Sequence, residues 1–90
     1  MALEWTRTAL RNLQDIAEYI AKDNPQRARS FVLELRDKVG LLERLPVLGR
    51  LGRIAGTREL VIHKNYLAIY RVHGDEVQIL RIHHVAQRIG

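Results

Sequence analysis

RELVIHKNYLAIYRVHGDEVQILRIHH, residues 58–84, is the stretch on which the fold turns. Its apolar residues recur at a period of about 2, the spacing that buries one face of a strand. Val, Ile, Leu and Tyr dominate it, the side chains that suit a pleated, half-buried surface. It divides into strands at Arg58–His63, Tyr66–His73 and Glu76–His84. Lys64-Asn65 and Gly74-Asp75 separate them and suit tight hairpins. Strict alternation sets Val77, Ile79, Arg81 and His83 on one face of the last strand, against Gln78, Leu80, Ile82 and His84. In the middle strand Tyr66, Ala68, Tyr70 and Val72 oppose Leu67, Ile69, Arg71 and His73.

Upstream, the period lengthens to about 3.6. Residues 2–6 form a short extended piece, and Thr8 can cap a helix behind it. Leu10, Leu13, Ala17 and Ile20, widened by Ile16, make one apolar helix face. Asn24-Pro25 ends that helix and starts another, since Asn caps well and Pro at the first helical position has no N–H to leave unpaired. Ala28, Phe31, Val32, Leu35, Val39 and Leu42 form the second apolar face, which Pro46 and Gly49 terminate near residue 45. Helices joined so tightly fold back as an antiparallel hairpin. Residues 48–57, with Gly49, Gly52 and Gly56 among arginines, read as a basic, flexible connection without a phosphate-loop pattern. The expected fold is α+β, ordered β-α-α-β-β-β, with an N-terminal helical hairpin packed on a mainly antiparallel sheet.

Ninety residues make a single domain, 1–90. Such a chain buries roughly 60% of the surface its unfolded form exposes, so its stability is modest. With no cysteine, disulfides and thiolate metal sites are excluded, which suits the cytoplasm. Residues 1–20 carry Glu4, Arg7, Arg11, Asp15 and Glu18, so they read as neither signal peptide nor membrane span. Charge is unevenly distributed: residues 1–45 hold 8 Lys+Arg against 7 Asp+Glu, whereas residues 46–90 hold 7 against 3. Every histidine falls in the second half. A near-neutral helical half beside a cationic sheet suits a polyanion or an acidic protein.

Candidate chemistry gathers where the last strand ends, at Arg81, His83, His84, Gln87 and Arg88. Arginine can hold a phosphate and histidine can exchange protons beside it. His83 and His84 point to opposite faces, so both cannot serve one site directly from a regular strand. Arg50, Arg53, Arg58 and Lys64 extend the cationic surface. No HxxxH, HExxH or carboxylate cluster suggests a metal, and no cofactor is expected.

In order along the chain, IAEYIAKDNPQRARSFVLELRDKVGLLERLPVLGR (residues 16–50) resembles the helical hairpin of ParE toxins, with its DNP junction and PxLGR exit. TRELVIHKNYLAIYRVHGDEVQILRIHHVAQR (residues 57–88) resembles the sheet of the wider RelE/ParE superfamily. The resemblance implies the toxin of a type II toxin–antitoxin module, cytoplasmic and hetero-oligomeric with a cognate antitoxin. It implies that an acidic or amphipathic C-terminal segment of that antitoxin wraps the domain as helix and strand. ParE members poison DNA gyrase without hydrolytic chemistry; RelE members cleave mRNA on the ribosome. In RelE an arginine follows the strand tyrosine and contacts the scissile phosphate, whereas here Leu67 follows Tyr66. That departure favours gyrase. If the chain is instead a nuclease, His84 is the proton-transfer group and Arg81 the phosphate stabiliser, with His63 assisting and Glu59 available. A third reading is an inactive or adaptor member that only binds a partner.

Overall fold

The structure, a computed structural model, describes residues 1–86; Gln87 and Arg88, candidate residues in the sequence, lie outside the described residues. Strand β1 (Ala2–Trp5) leads into helix α1 (Arg7–Ala21), then α2 (Pro25–Gly40) and a 3₁₀ turn (Leu41–Glu43). Strands β2 (Arg50–Leu51), β3 (Arg58–His63), β4 (Tyr66–His73) and β5 (Glu76–His84) follow. They form one sheet in the order β1-β5-β4-β3-β2, parallel between β1 and β5 and antiparallel elsewhere. The α+β architecture therefore matches expectation, with β2 added.

Thr6, rather than Thr8, caps α1. Its hydroxyl accepts the Ala9 N–H (3.2 Å) and donates to the Ile79 carbonyl (2.8 Å), so one side chain starts the helix and ties it to β5. Beginning the helix there aims Ala9, Leu13 and Ile16 at the sheet and leaves Leu10 exposed, correcting the stripe read from sequence. The second helix is as expected: the Asn24 side-chain oxygen accepts the Arg27 N–H (3.0 Å) and Pro25 opens the first turn. Ala28, Phe31, Leu35 and Val39 are buried along it, and Leu42 in the following turn. Both helices pack on one sheet face, α1 against β5 and α2 against β3, around Ala68, Tyr70, Val77, Ile79 and Ile82.

The register departs from strict alternation. Ile69 pairs with Arg81 and Tyr70 with Ile79, so Leu80 is an extra residue in β5. The bulge reverses the phase of the strand. Val77 and Ile79 face the helices before it, and Ile82 does so after it. Arg81 and His83 therefore lie opposite Ile69 and Leu67 on the far face, not beside Val77 and Ile79 as alternation predicted.

Residues 48–57 are likewise no flexible connection. Gly49 N–H donates to the Tyr70 hydroxyl oxygen (2.9 Å), and that hydroxyl donates to the Pro46 carbonyl (2.8 Å). A side chain at Gly49 would meet the Glu59 carbonyl and the Tyr70 ring at 2.8 Å, so only glycine allows this approach. Glu59, 4% exposed, accepts from the Arg50 guanidinium (3.0 Å) and from the Arg53 N–H (3.2 Å), and Arg58 donates to the Gly49 carbonyl (2.8 Å). Burial pushes the Glu59 carboxyl up, but the Arg53 N–H and the Arg50 guanidinium outweigh burial and leave it below its ordinary value.

Tyr70→Phe strands the buried Gly49 N–H and should cost about 1–3 kcal/mol, read as a lower urea midpoint at unchanged slope. A carboxyl with a depressed folded value contributes stability that is present above its unfolded value, about pH 4.3, and lost as pH falls through the folded one. Glu59→Gln should therefore be less stable than the wild type at pH 7. The gap should narrow at pH 3, which urea titrations at both pH values check.

Candidate functional site

The end of the sheet nearest the helix junction carries a row of rings. Tyr66 stands at its centre, paired in register with His84 on β5 and His63 on β3. The His84 ring meets the Tyr66 ring edge-on, with centroids 5.0 Å apart. Phe31 of α2 lies 5.8 Å from Tyr66 and 4.9 Å from His63, both edge-on, and the Arg27 guanidinium sits 5.1 Å over Phe31. Edge-to-face packing of this kind favours a fixed geometry over stacking in parallel. A second register shift between Val61 and His63 brings His63 into the row.

On the β5 side the row opens into a shallow cleft of about 350 Å³, lined by Asn12, Asp15 and Tyr19 of α1 and by Tyr66, Arg81 and His84. The cleft exists because β1 ends at Trp5, opposite Ile79, so α1 borders the outer edge of β5 beyond that point. Asn12 accepts the Ile82 N–H there (3.1 Å), satisfying an edge donor that no strand covers. Although Arg81 belongs to the far face, its position at this edge lets it line the same cleft as His84.

The polar groups of the row have definite roles. Nδ1 of His84 accepts the Ala86 N–H (3.0 Å) and Nδ1 of His63 accepts the Asn65 N–H (3.1 Å). In a neutral ring that accepts at Nδ1 the proton sits on Nε2, which is then a donor. Burial, with a smaller contribution from Tyr19, raises the Tyr66 phenol, which stays protonated at neutral pH. Donors and a guanidinium thus converge on the cleft, while Asp15 adds a negative charge at its wall.

The remaining sequence candidates scatter. Arg50, Arg53 and Arg58 hold the segment around Glu59 and Gly49; Lys64 is exposed in the β3–β4 turn; His83 is 1% exposed on the far face. Phe31 was read from sequence as core alone, and Arg27, Asn12, Asp15 and Tyr19 were not read as site residues. Tyr19 lies three residues beyond Ile16 on α1, and that spacing was the available signal. Among the described residues no cluster of His, Asp and Glu could hold a metal ion, and no helix is long and apolar enough to cross a membrane.

Comparison with known proteins bears on the family and the fold. Residues 3–89 match the family model described as the ParE toxin of the type II toxin–antitoxin system parDE. The chain is 41% identical to Y4kP of Sinorhizobium fredii, over 96% of this chain and 90% of that one. It is 37% identical to toxin RelE2 of Caulobacter vibrioides, over 92% and 93% of the two chains. A solved chain of the chromosomal ParDE toxin–antitoxin system from P. aeruginosa superposes with a TM-score of 0.88 at 34% identity, covering 94% of this chain and 96% of that one. The YoeB/ParE toxin from Agrobacterium tumefaciens shares the fold, with a TM-score of 0.63 at 21% identity over 93% and 98% of the chains. Family match, relatives and superposed fold thus converge: the chain belongs to the ParE toxin family, and it is the toxin of a type II toxin–antitoxin system, a class that implies an antitoxin partner.

Proposed function

We propose that this toxin arrests bacterial growth by binding DNA gyrase and poisoning it, without hydrolytic chemistry of its own. The observation that carries the reading is the match of residues 3–89 to the ParE toxin family model. Nδ1 of His63 and Nδ1 of His84 each accept a backbone N–H from the adjoining turn, so neither atom is open to take a proton from a substrate in this geometry. Asp15 lines the same cleft as Arg81, and its carboxylate disfavours a phosphate there. Leu67 stands where a RelE-type toxin carries its phosphate-contacting arginine.

A second reading, ribosome-dependent mRNA cleavage, draws support from the convergence of Tyr66, Arg81 and His84 on one cleft. Either target places the action in the cytoplasm. The antitoxin, on this proposal, contributes an acidic, amphipathic C-terminal segment to the cationic sheet half. The outer edge of β3 beyond Glu59, which β2 leaves uncovered, offers backbone pairing for it.

Induced expression of the toxin should provoke the DNA-damage response and filamentation, and purified toxin should inhibit supercoiling by gyrase. Transcript cleavage with abrupt loss of translation is the opposite result. His84→Ala should reduce growth inhibition by less than tenfold, since removal of a true proton-transfer group costs about 10²–10⁴ in rate. Antitoxin affinity should fall as salt rises but stay measurable through apolar anchoring, which titrations at about 0.1 and 0.5 M salt check.

A further inference from the structure

The segment that β2 interrupts carries a feature the cleft does not explain. Leu45, Val47, Leu48, Leu51 and Ile54 are all exposed, Val47 to 68% and Leu51 to 78%. Isolated surface aliphatics are ordinary, but their concentration in one short segment of so small a domain is not. The segment is also held in place. The Tyr70 hydroxyl binds residues 46 and 49, Glu59 binds Arg50 and Arg53, and Gly52 N–H donates to the Thr57 carbonyl (2.8 Å) to close the loop. These ties hold the segment, here called the lobe, in one conformation while its aliphatic side chains stay exposed.

Charge frames the same lobe. Residues 44–58 include Arg44, Arg50, Arg53 and Arg58, and Glu59, the nearest carboxylate after them, is buried. Arg50 remains 59% exposed at its side chain even while it binds Glu59, so donors are left for a second carboxylate. Exposed aliphatics interspersed with arginines are the composition of a protein-binding surface. Nucleic acid fits less well, because no aromatic side chain in the segment can stack on a base and the exposed aliphatics would stay wet against phosphates.

We propose that residues 45–54 form the lobe by which this toxin grips its protein target, a target surface that presents an apolar patch bordered by carboxylates. The inference rests on the reading of the toxin as a binder of a protein. It adds that the gripping surface is this lobe and not the cleft at His84. Because the lobe is already ordered, binding forfeits little backbone freedom.

The test places Val47→Glu and Leu51→Glu, separately and together, in the full chain, with Val47→Ser and Leu51→Ser as milder variants in case the charged ones fold poorly. The double variant should need about 30-fold more toxin for equal growth inhibition, while affinity for the purified cognate antitoxin shifts less than about threefold. Urea midpoints should stay at the wild-type value. Unchanged inhibition overturns the proposal. So does a parallel loss of antitoxin affinity, which makes the lobe the antitoxin's surface. Loss of wild-type binding to a labelled single-stranded RNA in the same variants overturns it in favour of nucleic acid. If wild-type toxin leaves purified gyrase unaffected while the variants lose toxicity and keep antitoxin affinity, the gyrase reading fails and the lobe stands for another protein target.

Discussion

A single extra residue in β5 sets the relation between the core and the functional end of the molecule. With Leu80 inserted between the Ile79 and Arg81 pairings, the strand can bury Val77 and Ile79 beneath the helices and then Ile82 as well. An unbulged strand would have turned Arg81 and His83 into that core, at a desolvation cost no nearby carboxylate in the apolar cluster offsets. The bulge sends Arg81 to the far face and returns His84 to the helix side, against Tyr66. Core integrity and the composition of the cleft are therefore one constraint.

That constraint works with a second, at the other side of the sheet. Tyr70 faces the helices, yet its hydroxyl holds the chain between the 3₁₀ turn and β2. Glu59, on the opposite face, binds the same segment through Arg50 and Arg53. Adjacent strands thus clasp one loop from two faces, and the short β2 forms because the loop is already held beside β3. Burying a carboxylate is tolerable here only because the guanidinium and an N–H keep it ionised.

Together these features divide the surface into two chemically distinct regions. The cleft beside α1 sets a phenol, an imidazole, a guanidinium and a carboxylate beside Ile16 and Ile82. The segment beyond β3 exposes Leu45, Val47, Leu48, Leu51 and Ile54 among arginines.

Much of this was open to a reader of the amino acids alone. The helix junction at Asn24-Pro25, the apolar face of α2, the two hairpin turns and the order of the elements all follow from local rules: capping, periodicity and the conformational preferences of Pro, Gly and Asn. Even the opposite facing of His83 and His84 survives, because neighbouring residues after the bulge still alternate. Local rules could not supply what depends on partners distant in the chain. Thr6 outcompetes Thr8 as the cap because Ile79 offers it a carbonyl; Leu80 bulges because the core accepts Ile82 and not Arg81; and a glycine-rich, basic segment is rigid because Tyr70 and Glu59 hold it. Periodicity and caps are written in neighbouring residues, whereas strand phase, buried charge and the ordering of a loop are settled only when remote segments compete for the same interior.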